Sequence, residues 1–290
     1  MNNRPLNRLN DFFFKNLMGN EKRSDLTLRF LNLILDRTKK NEFKKIRFLN
    51  PFFDPLTIDG KLAILDIRAS IDDNSFVDIE LQVARQNYMP KRSMYYLSRM
   101  YSEQMVRGEQ YNELKPVVGI NLLGFQLFKN EPDWHNKASF TLEKSKKIIT
   151  DCITLHFLEL PKLKISDIKK VKRLEAWGAY FSGKCTEKEM EVLTMSEPLL
   201  KKALSYEKTF VNDEEMYYKY QLREDAIREE KTKLSLAEER GIKKGIKQGV
   251  QQEKIQNAIN LLRIGLSPET VSKGIHLDIE KVKELQKNLY

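Results

Sequence analysis

The sequence predicts an α/β layer fold followed by an α-helical C-terminal region. Helical periodicity opens the chain, period-two alternation replaces it over residues 61–84, and beyond about residue 165 strand patterns stop. The length of 290 residues suits one sizeable domain with appendages. Hydrophobic residues make up 41% and charged residues 32%, the balance of a folding chain with much charged helix surface.

The first element is the helix "LNDFFFKNLMG": Asn10 caps it, Phe13, Phe14, Leu17 and Met18 form its apolar stripe, and Gly19 ends it. "SDLTLRFLNLILDRTK" predicts a second helix capped by Ser24, and "NPFFDPLTIDG" a loop. "KLAILDIRAS" and "FVDIELQVA" then read as two strands joined by "IDDNS". "MPKRSMYYLSRMYSEQMVRG" predicts a helix with Pro90 in its first turn and Gly108 at its end. "KPVVGINLLGFQLF" is a buried strand, and "DCITLHFLELPK" another, stopped by Pro161. Residues 165–235 predict amphipathic helices anchored by Trp177, Tyr180 and Phe181. Gly241, Gly245 and Gly249 line one face of a further helix, each costing about 1 kcal/mol of helix propensity, which close approach of another helix would offset. Three short helices close the chain, with turns at "IGLSP" and near "GIHLD". The expected organisation is residues 1–163 as a core, 164–235 as a helical extension, and 236–290 as the glycine-striped helix and small tail.

The hairpin holds the chemistry. Strand side chains alternate between faces, so Val77, Ile79 and Leu81 go to one side and Asp78, Glu80 and Gln82 to the other. A loop of residues 72–74 sets Ile67 opposite Ile79, Arg68 opposite Asp78 and Asp66 opposite Glu80. Arg68 with Asp78 reads as an ordinary cross-strand ion pair. Asp66 opposite Glu80 sets like charges face to face, which destabilises a sheet unless a cation lies between them. Two carboxylates completed by water and phosphate oxygens suit Mg²⁺. A two-residue loop would shift the register and leave Asp, Glu and Gln as a solvated face.

The net charge of +10 attracts phosphate backbones without sequence preference, although many basic proteins never touch nucleic acid. Lys144, Lys146, Lys147, Lys162, Lys164, Lys169, Lys170, Lys172 and Arg173 form its densest run, open to reading as a solvated face or a phosphate contact. No apolar run approaches the roughly 20 residues of a membrane span, and the N-terminus has no signal-peptide pattern. Cys152 and Cys185 make neither a disulfide framework nor zinc spacing, which points to a reducing cytoplasm. His135 reads as a loop residue, His156 as a strand residue and His276 as part of the tail, with no two at ligand spacing, which speaks against a zinc or His-triad enzyme.

The segments "NDFFFKNLMG", "NPFFDPLTIDGKLAILDIRA", "FVDIELQ", "KRSMYYLSRMYSEQMVRGEQYNELKPVVGINLL" and "LHFLELPKLK" resemble the bacterial recombination-promoting nuclease/putative transposase family, a branch of the PD-(D/E)XK nucleases. The similarity continues through the glycine-spaced helix into "GLSPETVSKGIHLDIEKV". It implies a PD-(D/E)XK restriction-endonuclease-like core, a mixed sheet flanked by helices, and cleavage of DNA with Mg²⁺ or another divalent cation. The motif aspartate falls on Asp66 and the acidic strand residue on Glu80. Gln82 stands where the wider group has lysine, and Leu65 where it has proline.

On that reading Asp66 and Glu80 hold the metal and Gln82 aims the attacking water. Because the Gln82 amide carries no charge, a cation is expected from Lys61, Lys91 or Arg92, the last two also being candidate phosphate contacts. Asp11 is open to two readings: an accessory acid or a first-turn residue favoured by the helix dipole. Tyr95, Tyr96 and Tyr101 either face substrate or pack in the core. The alternative is a catalytically inactive DNA-binding or scaffolding protein of the same fold. The tail suits self-association into a homo-oligomer or, as a helix-turn-helix-like pattern, a DNA contact.

Overall fold

The structure, a computed structural model, describes residues 4–53, 63–64, 66–72, 75–85, 88–108 and 110–289. Two compact units are separable, one running to Asp225 and the other from Ala226 onward. Lys61, Leu65 and most of the "NPFFDPLTIDG" segment lie outside the described residues.

In the first unit α1 (Asp11–Met18) starts where the Asn10 side chain accepts hydrogen bonds from the N–H groups of Phe12 and Phe13, a cap worth about 1 kcal/mol. Its apolar spacing buries Phe13, Phe14, Leu17 and Met18 completely, at roughly 1.5–3 kcal/mol for each side chain. Gly19 serves a close approach: a Cβ there would lie 2.8 Å from the Lys15 carbonyl oxygen and 3.4 Å from Ile67 Cγ1. The expected Ser24 cap is corrected. Asn20 caps a single 3₁₀ turn (Glu21–Arg23) that runs straight into α2 (Ser24–Ile34), so Ser24 is the first residue inside the helix.

The strands are β1 (Ile46–Leu49), β2 (Phe52–Phe53), β3 (Ala63–Ile64), β4 (Ile67–Ile71), β5 (Phe76–Gln82), β6 (Val117–Leu123), β7 (His135–Thr141) and β8 (Ile148–Glu159). Six of them form one mixed sheet in the order β1-β4-β5-β6-β8-β7, while β2 and β3 pair separately. β1, β4 and β5 run antiparallel, β5, β6 and β8 parallel, and β7 closes the far edge antiparallel to β8. The hairpin register is as expected, with Ile67 opposite Ile79 and Arg68 opposite Asp78. The first hairpin segment is not one strand, however, because it bends at Asp66 between β3 and β4.

One face of the sheet presents Ile67, Val77, Ile79, Leu81, Ile120 and Leu122 to α1 and α2. The same core takes in α4 (Arg173–Ser182), α5 (Glu187–Ser196) and α6 (Leu199–Asn212). Trp177, Tyr180 and Phe181 are the buried anchors that their pattern suggested, with Phe30 5.6 Å from Trp177 and 5.7 Å from Phe181 between ring centroids.

The other face carries α3 (Met89–Ser102), packed through Tyr96, Leu97 and Met100 on Val117 and Ile153. Gly119 in β6 permits that crossing, since a Cβ there would lie 2.7 Å from Leu97 Cδ1. Gly108 does not end α3. The helix stops at Ser102, because the Gln104 side chain exchanges hydrogen bonds with the backbone of Lys115 (2.8 and 3.0 Å) and draws the chain back toward β6. Gly108, at φ +100°, serves a later turn.

The helix α7 (Glu214–Arg263) is 50 residues long and carries the glycine stripe. Within the second unit Ala258 and Leu262 of α7 pack with Val271 of α8 (Pro268–Ile275), Leu277, and Val282 of α9 (Ile279–Lys287). The first of the three short helices read from the tail is therefore the end of α7. Gly241, Gly245 and Gly249 face open space. Among the described residues no helix is long and apolar enough to cross a membrane.

Candidate active site

Asp78 and Glu80 do not face water. They lie on the side of β5 that α3 covers, and each is only 2% exposed. Beyond the Ile67–Ile79 pair the ladder opens, and side chains take over from backbone. The Asp66 N–H donates to Glu80 Oε1 at 3.2 Å, and the Leu81 N–H donates to Asp66 Oδ2 at 2.8 Å. Each carboxylate thus satisfies a backbone donor on the opposite strand. That exchange seats Asp66 and Glu80 across from each other, as the register predicts.

Two cations meet this pair. Lys15 reaches over from α1 and places Nζ 2.9 Å from Asp66 Oδ1. Arg92, in the first turn of α3, donates to Glu80 Oε2 at 3.0 Å and to Gln82 Oε1 at 3.2 Å. Its Nε donates to the Tyr96 hydroxyl at 3.3 Å, with the guanidinium 5.4 Å from the Tyr96 ring centroid. Burial opposes the charge of Arg92, but Glu80, Tyr96 and Asp66 outweigh it and raise its pKa.

These two cations leave the acidic cluster incompletely neutralised. Burial, then repulsion from the Asp66 carboxylate, pushes Glu80 up to about 8. Burial, then Glu80 and Asp66, raises Asp78 well above the usual carboxylate range. Asp78 does not form the expected contact with Arg68. Its Oδ1 is buried without a hydrogen-bond partner among the described residues, while Arg68 reaches Glu103 at 3.5 Å. Arg68 still attracts Asp78 across the ladder.

A hard divalent cation fits the chemistry of this donor set. Carboxylate oxygens are its preferred ligands, and its charge would relieve the repulsion that raises Glu80. Asp66 and Glu80 are the side chains that would hold it. Among the described residues no group of three or more His, Cys, Asp or Glu side chains is placed to hold a metal, so water and substrate oxygens would complete the shell. Such an ion would compete with Lys15 and Arg92 for the same carboxylate oxygens.

Of the other sequence candidates, Gln82 joins the site through Arg92, while Lys91 and Asp11 make no contact with the pair among the described residues. Gln82 Oε1 accepts from Arg92, and its Nε2 donates to the Ala84 carbonyl at 3.2 Å. Lys91 is exposed on the first turn of α3. Asp11 lies in the first turn of α1 and forms a two-pronged pair with Arg223, at 2.7 and 2.9 Å. Tyr96 is buried beside Arg92, whereas Tyr95 is 46% exposed. Of the basic run, Lys162 is withdrawn from solvent by Glu159, while Lys144, Lys146, Lys147, Lys164, Lys169, Lys170, Lys172 and Arg173 remain exposed.

Sequence reasoning did not single out Lys15. The available signal was local: Lys15 is the one cation in "DFFFKNLM" and lies off the apolar stripe. Its partner is 51 positions away, beyond the reach of periodicity. The histidines also need correction. His135 is on β7, not in a loop, and its Nε2 lies 2.9 Å from Nδ1 of His156 on β8. Burial, then neighbouring positive charge, lowers the pKa of both, His156 to about 3.

A family model described as PD-(D/E)XK nuclease family transposase matches residues 8–237. No curated protein and no solved structure matches the chain.

Proposed function

This chain belongs to the PD-(D/E)XK nuclease family transposases, and we propose that it is an Mg²⁺-dependent DNA endonuclease whose site is built on Asp66 and Glu80. The observation that carries this reading is the open end of the β4–β5 ladder, where two carboxylates face each other and Glu80 is held at a pKa of about 8. Lys15 and Arg92 each meet one carboxylate of the pair, and a divalent cation between the two would favour their charged forms further.

Asp66 and Glu80 would hold the ion, which when bound supplies Lewis acidity toward the phosphate and acidifies a water. Hydrolysis joins the water oxygen to phosphorus and breaks the P–O ester bond, and a proton from the water ends on the departing oxygen. Arg92 fixes the rotamer of Glu80, and Gln82 in turn fixes Arg92. The Leu81 N–H orients Asp66. The exposed lysines after residue 143 supply sequence-independent attraction for the phosphate backbone.

The test is relaxation or linearisation of supercoiled plasmid with Mg²⁺, compared between wild type and Asp66→Ala and Glu80→Ala. Cutting by the wild type alone supports the endonuclease. Binding that survives chelation, with no cutting across several DNA forms and metals, turns the assignment to an inactive DNA-binding or scaffolding member of the family.

For partners, a second copy of the chain is proposed on α7. Leu234, Leu236, Ile242, Ile246 and Val250 are all exposed beside the open glycine face. Light scattering of Ile242→Glu/Ile246→Glu tests this: halved mass supports the pairing, and unchanged mass removes it.

A further inference from the structure

We propose, resting on the nuclease assignment above, that Lys15 is the phosphate-contacting cation of the site, held on Asp66 Oδ1 until DNA is bound. The third motif position is Gln82, which carries no charge and whose oxygen is occupied by Arg92. Arg92 itself is engaged with Glu80. Lys15 stands on the other carboxylate, 2.9 Å from Asp66 Oδ1, with its side chain 38% exposed. An ammonium has three N–H donors. One is directed at Asp66, which leaves donors facing the solvent side, from which a phosphate would arrive.

The mount of Lys15 is rigid where a reaching cation needs it to be. The helix α1 is capped by Asn10, buried through four apolar side chains, and tied at its first turn by Asp11 to Arg223. Its far end lies against Ile67, the neighbour of Asp66, because Gly19 has no Cβ. The lysine stem therefore projects from a fixed base onto the site. A phosphodiester brought beside Asp66, Asp78 and Glu80 adds a further negative charge, and Lys15 is placed to offset it. A fixed donor aimed at developing charge is typically worth about 10²–10³-fold in rate.

The role predicts opposite effects on two measurements. Removing the positive charge beside Asp66 strengthens cation binding, while removing the phosphate donor slows cutting. The experiment uses the full chain as wild type, Lys15→Met, Lys15→Arg and Asp66→Asn. It reads Mn²⁺ affinity by calorimetry without DNA, single-turnover plasmid cleavage at saturating Mg²⁺, and thermal melting. Lys15→Met is expected to bind Mn²⁺ several-fold tighter and to cut about 10²-fold more slowly, with Lys15→Arg recovering part of the rate and melting unchanged in both.

Cutting by Lys15→Met within about threefold of wild type, with Asp66→Asn inactive, overturns the role of Lys15 and leaves the endonuclease standing. Weaker Mn²⁺ binding with a lowered melting temperature identifies a structural strut and also overturns it. A wild type that never cuts defeats the nuclease assignment and this role with it.

Discussion

Two buried glutamates on the same sheet, Glu159 and Glu80, have contrasting surroundings. Glu159 ends β8 at 0% exposed. Its Oε1 accepts from the N–H groups of Leu127 and Phe128, and its Oε2 accepts from Lys162 Nζ at 2.5 Å and from Asn136 at 3.4 Å. Lys162 in turn donates to the carbonyls of Phe128 and Glu131. Every charge there has its counter-charge and every acceptor its donor. Glu80, in β5, is 2% exposed and has one backbone donor and one arginine, yet it faces a second carboxylate and lies near a third. The β8 cluster sets one acid against one cation, whereas the β5 cluster gathers Asp66, Asp78 and Glu80 with only Lys15 and Arg92 in direct contact. Both acids are buried, so it is the neighbouring carboxylates, not burial, that set the proposed site apart.

Substitutions at these two positions should separate activity from stability. Glu80→Gln is expected to lower plasmid cleavage by about 10³-fold or more while leaving urea stability equal or higher, since the amide keeps an oxygen acceptor for Arg92 and carries no charge to bury. Glu159→Leu should do the reverse. It leaves the Lys162 ammonium without its counter-charge and the Leu127 and Phe128 N–H groups without their acceptor, and is expected to cost about 3–5 kcal/mol in urea unfolding, with the rate per folded molecule retained.

The pH dependence of stability sharpens the same contrast. Glu80 binds its proton more tightly folded (about 8) than at its ordinary value of 4.5. The folded state therefore holds more protons between these limits, and this contribution is full below 4.5 and lost as pH rises toward 8. Melting of the metal-free protein should show that loss, and Glu80→Gln should flatten it. His156 acts oppositely. Its folded value of about 3 lies below the ordinary 6.5, so its contribution is present above 6.5 and lost as pH falls toward 3. His156→Phe should remove part of the acid-side slope; an unchanged slope would mean that the His135–His156 contact carries no proton linkage.

How far these features were legible depends on the range of the interaction that creates them. The α1 stripe, the Asn10 cap and the Ile67–Ile79 register all follow from local spacing and recur in the fold. β7 was missed because "HNKASFT" is an edge strand, half-buried at best, with no apolar alternation to betray it. The burial of Asp78 and Glu80 was missed because α3, not the strand itself, covers that face. The Ser24 cap failed since Asn20 starts an earlier turn that merges with α2. Within the site, Asp66 and Glu80 could be paired from one hairpin, but the Lys15 contact depends on where the packing of α1 delivers a side chain.

The proposed role of the carboxylates at the open end of the hairpin is DNA cleavage. Its most direct test is the single-turnover rate of supercoiled plasmid cleavage with Mg²⁺ for wild type, Asp66→Asn and Glu80→Gln, each first shown to be folded. Cutting by the wild type and a loss of about 10³-fold or more in both variants are expected. Equal rates in all three proteins would contradict it.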